Sequence, residues 1–278
     1  MATGFRVLAT ALFVLLGGYG LALASQPLCL ECHPAHYRQE GSCTFCHQGR
    51  ADTRRKEIAH DRIIAGRFAA FTRAGSSVVE EGRKTVEKTA CRRCHILGGK
   101  GNRYAANLDW APRNATAEEL FAAIREPALF MPDFHFSAQK TVALVNTIYA
   151  AARTVDSATG DVPVKVHFVD PDTESESTFE KKCGSCHRLL TAHLGGLGVA
   201  DVGPNLSGLL TAFYPATYPD KKAWTVRGLE DWLKNPRKLR QKAQMIPVPL
   251  KRDEWQDLEG TFLDAPVPSS AAAPVAAH

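Results

Sequence analysis

CLECHPAHYRQEGSCTFCH, residues 29–47, holds two copies of Cys-x-x-Cys-His, and the chain carries two more, CRRCH at 91–95 and CGSCH at 183–187. All 8 cysteines belong to these motifs: Cys29 and Cys32, Cys43 and Cys46, Cys91 and Cys94, Cys183 and Cys186. His33, His47, His95 and His187 follow directly. Two thiols three positions apart on one helical turn can form thioethers to the two vinyl groups on one porphyrin edge, and the next histidine then lies under the iron as its proximal ligand. Cys-x-x-Cys pairs also make zinc sites and redox disulfides, and disulfides are the default in an exported protein. Histidine fills only 10 of 278 positions, so meeting it by accident after all four pairs has a probability of roughly one in a million. The expectation is therefore four covalently bound haem c groups, carried by small, mainly α modules whose cores are partly haem, with negligible sheet.

Composition sets bounds around that reading. A chain of 278 residues that is 45% hydrophobic has room for about two ordinary domains and is neither disordered nor collagenous. The formal charge of +5 is too small an excess to argue for a nucleic-acid partner. Four haems would bring about eight propionate charges and reverse its sign. Near the start, Arg6 precedes an apolar run over residues 7–24 that ends in Ala22-Leu23-Ala24, a small-residue cleavage pattern. Residues 1–25 read as a signal peptide, with export to the periplasm. An uncleaved helix, long enough to span a bilayer, is the alternative and would associate the protein with the membrane.

The sixth iron ligand separates a carrier from a catalyst, because an iron with two protein ligands passes electrons whereas an open one binds substrate. His36 lies three residues after His33 and cannot swing to the opposite face of the same porphyrin, so it serves another haem or none. The nearest other haem is on His47, which leaves His60 to cap the haem on His33 in a crossed, bis-histidine arrangement. The alternative makes His36 a surface residue and His60 a propionate partner. His167 and His193 read as surface or propionate-facing groups.

The two later motifs sit in a different pattern. Residues 79–94 read as a helix running into CRRCH. A Gly-rich loop, the amphipathic stretch AEELFAAIR, Met131-Pro132 and a closing helix at 137–153 follow, with Val142, Val145, Ile148 and Tyr149 on one face. After CGSCH come GPNLSGL (203–209), a Trp224 to Pro236 stretch, Met245-Ile246-Pro247 and a helix from about 251 to 263. This order resembles class I cytochrome c domains. The resemblance implies Met131 as distal ligand of the haem on His95 and Met245 as that of the haem on His187. It also implies that the Pro204 carbonyl accepts the His187 ring proton. Two departures stand out: Ala106 occupies the position where the family has proline, and His135, four residues beyond Met131, is a rival ligand.

The chain thus divides into a leader (1–25), a di-haem module (26–72), two cytochrome c-like domains (75–156 and 170–264) joined by a linker (157–169), and an Ala/Pro-rich disordered tail (265–278). Methionine is a poorer donor than histidine and raises the haem potential, so electrons are expected to run from the N-terminal pair towards the later domains. The implied role is an electron-transfer relay in a respiratory chain. Its donor would be a quinol-oxidising or dehydrogenase complex, and its acceptor another cytochrome or a reductase. Two alternatives stay open: a haem enzyme with one open iron reducing a small oxyanion or peroxide, and a subunit permanently bound to a membrane oxidoreductase complex. Basic clusters at Arg54, Arg55, Lys56 and Arg62, and at Lys234, Arg237, Lys238, Arg240 and Lys242, read either as solvated faces or as a docking rim for an acidic redox partner.

Overall fold

The computed structural model describes residues 27–155 and 177–263. The expected leader, linker and tail, with His167 and His278, lie outside the described residues. Within them the protein is mainly helical, and the only sheet is an antiparallel pair of two-residue strands, β1 (Leu189–Leu190) and β2 (Gly196–Leu197).

The N-terminal segment is built from single turns. A 3-10 turn at Leu28–Glu31 is followed by another at Arg38–Glu40, by α1 (Cys43–His47) and by α2 (Lys56–Ala59). α1 starts where the Ser42 hydroxyl accepts the Phe45 amide at 3.1 Å and stops where Gln48 turns to a φ of 56°. No residue from 27 to 63 is buried.

Burial begins at Ile64. The first full core gathers the 3-10 turn Gly66–Thr72, α3 (Ser77–Lys88), the short α4 (Ala111–Asn114), α5 (Ala117–Arg125) and α6 (Ala138–Ala152). α6 is its axis. Thr141 and residues 143–149 are all buried on it, which requires partners on every side. α3 supplies one partner by turning Val79, Gly82, Thr85 and Val86 inward. Gly82 is the contact point, since a Cβ there would overlap the Ala143 carbonyl and the Thr147 hydroxyl. α5 begins with a reciprocal cap, Thr116 and Glu119 each accepting the other's backbone N–H.

Two expectations need correction here. Residues 64–72, expected to close the N-terminal module, instead supply Ile64, Phe68 and Ala69 to the core of the following unit. Asn146 of α6 fixes them, donating to the Arg67 carbonyl at 3.0 Å and accepting the Phe71 amide at 2.9 Å. The helix expected over 79–94 ends at Lys88, because Ala90 takes a left-handed φ of 52° and CRRCH opens as a separate 3-10 turn, Cys91–Arg93.

The last unit packs α7 (Thr178–Lys182) against α10 (Arg252–Leu263), with Phe179 edge-on to Phe262 at 6.1 Å. The Asp257 carboxylate accepts the Thr178 amide at 2.7 Å, satisfying a free donor at the start of α7. α8 (Val226–Lys234) is capped by the Thr225 hydroxyl, and α9 (Pro236–Leu239) opens with proline at its first position. Leu229, Leu233, Leu258 and Phe262 close this second core around Cys183.

Candidate haem-binding sites

Each Cys-x-x-Cys-His segment bends in one way whatever follows it. The histidine amide donates to the carbonyl of the first cysteine, at 2.9 Å for His33, 3.1 Å for His95 and 2.9 Å for His187, and α1 makes the same turn around Cys43 and His47. One turn therefore carries both thiols and the ring. All eight cysteines are free of disulfides. Burial pushes the Cys183 thiol up to about 11 and raises those of Cys91 and Cys94 against the opposing hydroxyl and arginine contacts.

Three of the four motif histidines are held by a backbone carbonyl. The Nδ1 atoms of His47, His95 and His187 lie 2.8, 2.7 and 2.8 Å from the carbonyls of Ile64, Ala106 and Pro204. A carbonyl only accepts, so Nδ1 carries the proton and Nε2 keeps its lone pair for a metal. Desolvation holds the His95 pKa below the ordinary histidine value, partly offset by the Ala106 carbonyl, and this favours the neutral form that binds iron. Ala106 performs the task of Pro204, because the acceptor is main chain and the side chain is immaterial. The loop passes so close to His187 that a Cβ on Gly203 would overlap the ring. Ile64 was not expected in this role, and no side-chain signal marks a carbonyl.

The remaining histidines of the N-terminal segment lie beside the two motif rings there. His36 meets His47 with centroids 5.6 Å apart and planes 20° from parallel, and His33 meets His60 at 5.9 Å. Two metal–nitrogen bonds of about 2 Å each, added to the reach of each ring, bring two imidazoles on one ion to about 6 Å. The donor set thus fits an iron between the members of each pair. Beside the inner pair lies a cavity of about 450 Å³, lined by Pro27, Leu30, Tyr37, Cys43, Cys46 and His47 among others. Its size is that of an ordinary cofactor pocket.

Met131 sits half-buried in the turn between α5 and α6, its amide donating to the Ala128 carbonyl at 3.2 Å. His135 points to solvent, its side chain 86% exposed and its ring 3.0 Å from the Asp133 carboxylate. Met245 packs against the second core, and its sulfur accepts the Trp232 indole N–H at 3.1 Å. Trp232 was not singled out in the sequence, although a tryptophan one helix before the methionine needs a partner for its N–H when it packs inward.

The basic clusters are largely engaged within the protein. Arg54 forks onto Glu31 at 2.9 and 2.7 Å, Arg62 donates to the carbonyls of Pro112 and Arg113, and Arg240 donates to that of Thr217. Lys234 pairs with Glu230 at 2.7 Å.

A Cys-x-x-Cys-His turn, a proximal ring held by a downstream carbonyl and a wrap of helices define a c-type cytochrome domain, an electron-transfer unit with covalently bound haem c. Residues 77–146, the unit around His95, match the family model described as cytochrome c oxidase, cbb3-type, subunit III. No curated protein and no solved structure matches the chain.

Proposed function

We propose that the chain is an exported tetrahaem cytochrome c that relays electrons in a respiratory chain, between a quinol-oxidising or dehydrogenase complex and a second cytochrome or reductase. The observation that carries this reading is the pair of imidazole couples, His33 with His60 and His36 with His47, at the spacing of two ligands on one ion. His95 with Met131 and His187 with Met245 would hold the other two irons. Haem c, when bound, supplies one-electron Fe(III)/Fe(II) chemistry.

The protein's own groups set the conditions for that chemistry. The Ile64, Ala106 and Pro204 carbonyls fix three proximal rings and raise their basicity. The Trp232 N–H takes electron density from the Met245 sulfur, which favours the reduced state. Two histidines are stronger donors than histidine with methionine, so the N-terminal sites accept electrons at lower potential and pass them towards His95 and His187.

Mass spectrometry of the mature protein and a spectroelectrochemical titration test the proposal together. The expected result is four attached haems, two low-potential and two high-potential couples, an iron–methionine charge-transfer band and no carbon monoxide adduct. A reduced form that binds carbon monoxide readily would instead mark an open iron and a haem enzyme.

A further inference from the structure

We propose that Arg93 and Arg188 form a reciprocal clasp, each rooted in one haem-attachment segment and each positioning the ligand loop of the other unit, so that the two sites titrate as a coupled pair. The inference rests on the reading of CRRCH and CGSCH as haem sites.

Arg93 is the third residue of CRRCH. Its guanidinium donates to the Asn205 carbonyl at 3.1 Å, across 112 residues of chain, and lies 5.9 Å over the Tyr214 ring. Tyr214 donates its own hydroxyl to the same carbonyl at 3.2 Å. Asn205 directly follows Pro204, whose carbonyl holds His187. The cation of one attachment motif therefore sits one peptide unit from the group that orients the other proximal histidine. Asn102, 5% exposed, fastens the backbone of this contact by donating to the Arg93 carbonyl at 2.9 Å and to the Thr211 hydroxyl at 2.8 Å.

The opposite arm runs from the second unit to the first. Arg188, next to His187, is anchored in its own unit by the Val199 carbonyl at 3.2 Å and the Asp201 carboxylate at 3.4 Å, and from there donates to the Leu129 carbonyl at 3.4 Å and lies 5.9 Å over the Phe130 ring. The Asn205 side-chain amide donates to the Phe130 carbonyl at 3.4 Å. Leu129 holds a left-handed φ of 56°, so the turn leading into Met131 is strained and draws support from these donors. The Phe130 ring packs onto Gly196, where any Cβ would overlap it.

The positive charge of Arg93 beside a ligand loop favours the state that holds one more electron, whereas Arg188, paired with Asp201, acts by holding the Leu129 turn in place. Because each arm joins the attachment segment of one site to the ligand loop of the other, a change at either site is felt at its neighbour, and such coupling is mutual. Arginine suits the task because its planar fork can bind a carbonyl while its face lies over an aromatic ring.

The test is a redox titration of the holoprotein in which each haem is followed by its own hyperfine-shifted methyl resonances. Arg93→Met should lower the midpoint of the His187 haem, cutting its reduced-to-oxidised ratio at fixed potential by about fivefold, the worth of one ordinary hydrogen bond. Arg188→Met should move the resonances of the His95 haem. Arg92→Met is the control: it removes the same charge from the same motif, but Arg92 serves the Leu97 carbonyl and Glu87 within its own unit, so the His187 haem should not move. Tyr214→Phe, which keeps the ring, should give a smaller shift in the direction of Arg93→Met. If Arg93→Met and Arg92→Met both alter only the His95 haem, the clasp is refuted. A full haem complement with an unmoved His187 midpoint defeats the clasp alone, whereas a missing haem on His95 or His187 defeats the functional reading beneath it.

Discussion

Residues 27–63 bury no side chain at all, whereas the stretch from Ile64 to Tyr149 buries Phe68, Val145 and Asn146 to the point of complete exclusion from water. Both stretches carry attachment motifs, yet they hold their sites by different means. In the first, the protein contributes single turns, paired rings and a few surface contacts such as Arg54 on Glu31. Exposed ion pairs of that kind add little stability. In the second, helices pack on each other and a haem completes a core that largely exists. A small segment lacking a core needs a cofactor to fold, so the N-terminal sites should stand or fall with their haems.

The sharpest way to break this contrast is to remove thiols. Replacing Cys43 and Cys46 by serine should cost both N-terminal haems, because the His36–His47 site is then lost and a segment with no buried core is left to a few surface contacts and backbone bonds. Replacing Cys183 and Cys186 should cost only one. Haem counted by mass spectrometry decides, and loss of a single haem in both variants would erase the distinction. Phe68→Ala comes next. It empties a fully buried ring position at the join of the two regions and should cost about 3–5 kcal/mol by denaturant unfolding. Asn146→Ala strips the Phe71 amide and the Arg67 carbonyl of their partner and should cost about 1–3 kcal/mol. Its mark would be faster proteolysis around residues 64–72. The smallest effect belongs to Thr116→Ala, which removes the cap of α5 for about 1 kcal/mol. Its haem spectra should be those of the unaltered protein.

Much of this was legible because the responsible signals are local. Ser137 followed by apolar residues at helical spacing marks α6, and the structure starts that helix at Ala138. The pairing of His36 with the His47 side of the segment followed from chain reach alone, since a residue three positions past His33 cannot cross its porphyrin. The destination of Ile64 and Phe68 was not legible. RIIAGRFAAF spaces Ile64, Phe68 and Phe71 at helical intervals, but that spacing does not say which unit they face, and what claims them is Asn146, 75 and 79 residues away along the chain from its two partners. The carbonyls of Ile64 and Ala106 leave no trace in residue identity, and Arg93 looks like any surface cation until Asn205 is folded against it.

The two ring pairs of the N-terminal segment are nested along the chain like brackets, 36 with 47 inside 33 with 60. A polypeptide that emerges N-terminus first completes the inner bracket once His47 has appeared and the outer one only at His60. Under the proposed ligand sets, the motif that leads the sequence would be the second to gain both of its imidazoles. If these pairs hold irons as proposed, both imidazoles of the inner pair precede His60 in the chain, while the Ile64 carbonyl that holds His47 follows all four rings.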